Sequence, residues 1–170
     1  MYFKEFPLYQ YDFDGKGQNV KLVTDLLRRV ALRSKVRANT LLFDKYDVKD
    51  GETPEIVADK YYGNPQYHWV VVLLNHITNW YDWPLEASAY ADFLIDKYGD
   101  NVNGTHHHEI SQESGDTTIK LQVESDVAGA VAVTNREFED RLQDEKRQIR
   151  LIDRTYLRLF VEEFKKIIKR

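Results

Sequence analysis

The strongest constraint on this chain is a pair of helix starts placed back to back, Thr53-Pro54 and Asn64-Pro65, with Gly63 between them. At each start a Thr or Asn side chain can accept from an orphan first-turn N–H. Proline follows at the first helical position, where its missing N–H has no helical partner. Gly63 tolerates the left-handed conformation that ends a helix. The sequence therefore predicts one helix from Pro54 to Tyr62 and, almost without a linker, a second from Pro65 to Asn75. The second carries Trp69, Val70, Val72, Leu73 and Leu74. It is too apolar for a surface helix and is expected to be buried.

Around this hairpin the pattern predicts a mixed fold. Leu41 to Val48 reads as a short strand ending at the turn Lys49-Asp50-Gly51. Upstream, Thr24 is a candidate N-cap, and Leu22, Val23, Leu26, Leu27 and Val30 recur at helical spacing. They predict an amphipathic helix over Asp25 to Lys35 with Arg28, Arg29 and Lys35 on the opposite face, either solvated or at an interface. Met1 to Asn19 holds Tyr2, Phe3, Phe6, Tyr9, Tyr11 and Phe13. At about 25 cal/mol per Å² of apolar surface, such an arm must pack on the body or on a partner chain.

Downstream of the aromatic stretch Trp80, Tyr81 and Trp83, Pro84 is expected to open a third helix through Leu85, Ala89, Phe93 and Leu94 to a stop at Gly99. A hairpin follows, with strands near His106 to Gln112 and Thr117 to Val123 around Ser114-Gly115-Asp116. Ala128 to Val133 is ambiguous. Asn135 is read as the cap of a polar helix to about Lys146, and Ile149, Leu151 and Ile152 as a short strand. Leu157, Phe160, Val161, Phe164, Ile167 and Ile168 then line one face of a last helix, with Arg158, Glu162, Lys165 and Lys169 opposite.

Composition narrows the function classes. A net charge of -4 over 170 residues argues against nucleic-acid binding as the main task. The balance conceals a basic run from Lys21 to Arg37 that suits an acidic partner. Without cysteine there is no disulfide, thiolate metal site or cysteine nucleophile. No stretch approaches the roughly 20 apolar residues of a membrane span, and Met1 to Gln10 lacks the apolar run of a secretory signal, so a cytosolic chain is expected.

The run Tyr46-Asp47-Val48-Lys49-Asp50-Gly51-Glu52-Thr53, then Ile56-Val57-Ala58 and Lys60-Tyr61-Tyr62-Gly63, resembles the opening of a LysM domain. In such a module Val48 would point into the core, Gly51 would turn the chain, and Ile56 with Ala58 would pack the first helix on the second. Asn75 would satisfy loop backbone groups. With Asn64-Pro65-Gln66-Tyr67-His68-Trp69-Val70-Val71 and Tyr81-Asp82-Trp83, the chain is similar to the LysM-like baseplate wedge protein family of contractile-tailed phages, the myovirus wedge protein 53 type. The match is carried by Leu41 to Tyr98. It extends by order and character to Arg147-Gln148-Ile149-Arg150-Leu151-Ile152 and the terminal helix. The loop after Asn75 lacks the glycine and the apolar-Ile-Pro strand ending usual in glycan-binding LysM modules.

The resemblance implies an α+β fold with a LysM-like strand-helix-helix core. The segments would be 1–40, an arm and amphipathic helix; 41–99, the core and following helix; and 100–170, the hairpin and C-terminal helical extension. It also implies a non-enzymatic late structural protein of the virion tail baseplate, assembled in the host cytoplasm. Its partners would be other baseplate wedge proteins, and its task would be to join neighbouring wedges into a sixfold inner ring. Nucleic acid, membrane, small-molecule substrate and cofactor are not expected. The alternative is a LysM module binding peptidoglycan or chitin through the loops near Asp50 to Pro54 and Asn75 to Asn79.

Tests for chemistry yield little. No nucleophile elbow, phosphate loop or HExxH pattern occurs, so no catalytic residue is assigned. His106, His107 and His108 invite a metal reading, but strand alternation would let only His106 and His108 share a face. No metal site is assigned on that ground. The interaction candidates are Trp80, Tyr81, Trp83, Arg28, Arg29, Phe6, Tyr9 and Tyr11. For the three loop aromatics, an interface role and a role capping the buried second helix are both open.

Overall fold

The computed structural model describes residues 2–31, 39–112 and 119–169. In chain order the strands and helices are β1 (Leu8–Asp12), β2 (Val20–Thr24), β3 (Phe43–Asp47), α1 (Pro54–Tyr62), α2 (His68–Leu74), α3 (Ala87–Tyr98), β4 (Thr105–Ser111), β5 (Lys120–Val123), β6 (Val131–Thr134), α4 (Asn135–Arg147), β7 (Gln148–Ile152) and α5 (Arg154–Ile168). The fold is α+β. The chain forms two compact units. One comprises Met1–Asp47, Glu52–Thr78 and Ile149–Arg170, and the other Val48–Gly51 and Asn79–Gln148. Both are discontinuous in sequence.

In the first unit the two helix starts form as their caps dictate. Thr53 accepts from the Ile56 N–H at 3.4 Å, and Asn64 from the Gln66 N–H at 2.9 Å. Gly63 closes α1 at φ 72°, a left-handed conformation costly for a residue with a Cβ. After Pro65 the chain makes a 3-10 turn, Pro65–Tyr67, before α2 begins. Trp69, Val70, Val71 and Leu74 of α2 are buried. In α1 the buried pair is Val57 and Ala58, whereas Ile56, expected in the core, is 40% exposed.

The same core takes in both ends of the chain. Phe6, Ile152, Leu157, Phe164 and Ile168 are buried in one cluster with Trp69, Val70 and Leu74. Tyr2 stacks on Trp69 at 5.3 Å, and Trp69 meets Phe164 at 4.5 Å. The start of the arm thus packs on the body. Strand β7 pairs with β3. The Asp153 N–H bonds to the Leu42 carbonyl, and the Val48 N–H to the Arg147 carbonyl, so the two strands run antiparallel. Asn75 fastens β7 to the end of α2. Its Nδ2 donates to the carbonyls of Val71 (2.9 Å) and Arg150 (2.8 Å), and its Oδ1 accepts from the Arg150 N–H at 2.9 Å.

One sequence expectation fails here. Val20–Thr24 is a strand paired with β1, from Leu8↔Thr24 to Asp12↔Val20, and residues 25–31 are not helical. The remainder of the expected helix, residues 32–35, lies outside the described residues. Of the apolar positions read at helical spacing, Leu22 and Val23 belong to this strand, which is rich in β-branched residues, while Leu26, Leu27 and Val30 follow it outside regular structure. Asp25, whose Oδ1 accepts from the Leu27 N–H, turns the chain at its end.

The second unit is a three-stranded antiparallel sheet, order β5-β4-β6, with α3 and α4. Helix α3 starts at Ala87 and not at Pro84. Its first-turn Ala87 N–H is taken by Asp50 Oδ1 at 3.0 Å, while the Leu85 N–H goes to Gln143 Oε1. The cap of α4 is Thr134 and not Asn135, with Glu137 completing a reciprocal capping box. On β4 a bulge between Thr105 and His107 interrupts the alternation assumed for the histidines.

Glu139 is buried with Lys97 Nζ at 2.6 Å and the Tyr98 hydroxyl at 2.8 Å. Burial pushes this carboxyl up, but bonds from Lys97 and Tyr98 outweigh that effect and hold it below the ordinary glutamate value. A depressed pKa gives stability that is present above the unfolded-state value and lost as pH falls through the folded one. Glu139→Gln is expected to cost about 1–3 kcal/mol near neutrality, with the difference from wild type shrinking on acidification, as read by urea unfolding at several pH values. Asn75→Ala removes three bonds at one junction and is expected to cost about 2–3 kcal/mol in the same assay.

Candidate interaction surface

The aromatic stretch after α2 is held by local bonds before any partner is considered. Residues Trp80–Asp82 form a 3-10 turn, and Asn79 Oδ1 accepts from the Tyr81 N–H at 2.6 Å. Asp82 Oδ2 accepts from the Asn79 N–H at 3.0 Å, which closes a capping box. The Trp83 N–H bonds back to the Trp80 carbonyl.

This turn sorts three similar rings. Trp83 is 8% exposed and acts as an anchor, whereas Trp80 and Tyr81 are 74% and 66% exposed. Two large amphipathic rings on a turn fixed by its own hydrogen bonds can enter an interface at low cost in conformational entropy. The loop is therefore divided, with one ring buried and two exposed.

In the other unit the arm also divides. Phe6 is in the core, while Leu8, Tyr9, Tyr11, Phe13, Val20 and Leu22 of the β1–β2 hairpin are exposed. Tyr11 and Phe13 pack edge to face at 5.0 Å, with the Lys21 ammonium 5.1 Å from the Phe13 ring. Arg28 is tied to Asp25 at 3.1 Å, and Arg29 is exposed.

Sequence reading missed Leu8, Val20 and Leu22 as surface groups, because it read no strand over 8–12 or 20–24 and placed Leu22 on the apolar face of a helix. It also missed Leu159, exposed on the side of α5 assigned to charges. Counting a second apolar stripe, Tyr156, Leu159 and Ile167, would have found it.

Comparison with known proteins adds a family. Residues 6–126 match the family described as Base plate wedge protein 53. The chain is also 26% identical over 143 residues to the baseplate wedge protein gp53 of Enterobacteria phage T4, covering 74% of this chain and 73% of that protein. The matched residues include the β1–β2 hairpin, both capped helices and the Trp80–Tyr81 turn. Trp83→Ala is expected to lower monomer stability by about 3–5 kcal/mol, and Trp80→Ala to leave it within about 0.5 kcal/mol of wild type, in parallel denaturant titrations.

Proposed function

The chain belongs to the Base plate wedge protein 53 family and is a structural component of a phage tail baseplate, and from that membership we propose that it joins neighbouring wedges into a sixfold inner ring. The observation that carries this reading is the exposed Trp80–Tyr81 pair on a turn rigidified by its capping box. Interface energy concentrates in a few aromatic anchors that displace water in a partner's pocket. A protein that locks assemblies together needs such anchors more than a cleft, and its role is non-enzymatic.

The β1–β2 hairpin supplies a second contact. A two-stranded hairpin is marginal in water on its own, and this one exposes apolar groups along both strands. Docking against other baseplate wedge chains would cover it, with Arg29 offering a cation to an acidic neighbour. Two contacts on one chain reinforce each other, because the first raises the effective concentration of the second.

The hairpin belongs to a unit with a core of its own. The resemblance to a LysM-like core is supported by the order β3, α1, α2, with β7 from far downstream pairing β3. In this reading the core is a scaffold, and the glycan-binding use of LysM modules is set aside.

The test is assembly of closed rings from purified wedges, counted by negative-stain electron microscopy with and without this protein. A double variant, Trp80→Ala with Tyr81→Ala, should fold normally yet reduce closed rings by at least tenfold. Closure at the wild-type level would remove the aromatic turn from the joint.

A further inference from the structure

The bulge on β4 has a chemical result that strand alternation conceals. One extra residue between Thr105 and His107 brings His106 and His107 together, with Nδ1 to Nδ1 at 2.8 Å. Each ring is held from behind. His106 lies flat on Phe138 of α4, centroids 3.9 Å apart and planes 9° apart. His107 Nε2 is 3.0 Å from Glu109 Oε1, and that same oxygen accepts from Arg141 at 2.6 Å.

These contacts fix the tautomer of His107. Glu109 Oε1 already serves as the acceptor for the Arg141 guanidinium. A carboxylate only accepts, so Nε2 of His107 carries the proton, and in the neutral ring the lone pair is on Nδ1, facing His106. A carboxylate behind a histidine that points its free nitrogen outward is the outer-sphere arrangement that orients imidazole ligands.

We propose that His106 and His107 form a two-imidazole site for a late first-row divalent cation such as zinc, bound through the two Nδ1 atoms, with the proton that His106 Nδ1 donates to His107 Nδ1 moving to Nε2 of the exposed His106 ring. Zinc–nitrogen bonds of about 2.0–2.1 Å at a tetrahedral angle separate two nitrogens by about 3.3 Å, so the pair needs to open by about half an ångström. His106 is exposed, which leaves the ion a route in and room for water. Among the described residues no group of three or more His, Cys, Asp or Glu side chains is placed to hold an ion. The protein therefore supplies two donors, and water completes the shell. Imidazole donors without thiolate suit zinc, nickel or copper over magnesium or calcium. The site is independent of the wedge-joining role.

Calorimetric titration of the full chain with zinc chloride alone, in a non-chelating buffer, tests this. The expected result is saturable uptake of one ion per chain. Affinity should fall at least tenfold in His107→Ala and in His106→Phe, which keeps an aromatic ring against Phe138. Glu109→Gln should weaken binding by about 10-fold or more, and His108→Ala should leave it unchanged. Absence of saturable uptake would overturn the proposal, as would uptake that survives His106→Phe and His107→Ala together. Circular dichroism of each variant separates a lost ligand from a lost fold.

Discussion

Strand β3 needs a partner, and the chain supplies one only near its end. The capped helices α1 and α2 follow β3 in sequence, but the strand that pairs with it, β7, comes only after residues 79–148, which belong with Val48–Gly51 to the other unit. Asn75 makes this junction specific. Its amide reads both the N–H and the carbonyl of Arg150 while holding the last turn of α2. Closing so long a loop costs little more than closing a short one, since the entropy grows only with the logarithm of length. The return also brings α5, whose Leu157, Phe164 and Ile168 complete the core around Trp69.

What could be read from sequence was local. The cap-proline doublets, Gly63 and the period of Leu157, Phe160 and Phe164 predicted their helices because cap chemistry and amphipathic spacing act within a few residues. The β1–β2 hairpin was hidden because Leu22, Val23, Leu26, Leu27 and Val30 fit a helical period by coincidence, while the pairing that makes Leu22 and Val23 a strand comes from Leu8–Asp12. The partner of β3 was hidden for the same reason, distance along the chain.

The surface was less legible than the core. Trp80, Tyr81 and Trp83 carry similar rings in one short stretch, and only the turn geometry decides that Trp83 faces inward. The histidines repeat the lesson. A single extra residue on β4 changes which neighbours meet, and no residue type in Thr105-His106-His107 announces a bulge. In both places the composition suggested chemistry, and the backbone determined which atoms could take part.

For this baseplate wedge family member the proposed division is a scaffold of capped helices and paired strands presenting a rigid aromatic turn and an apolar hairpin. Cryo-electron microscopy of the assembled baseplate tests that division most directly. The account predicts that the Trp80 and Tyr81 rings are buried against another wedge chain while Trp83 stays within its own unit. A closed ring with both Trp80 and Tyr81 facing solvent would contradict it.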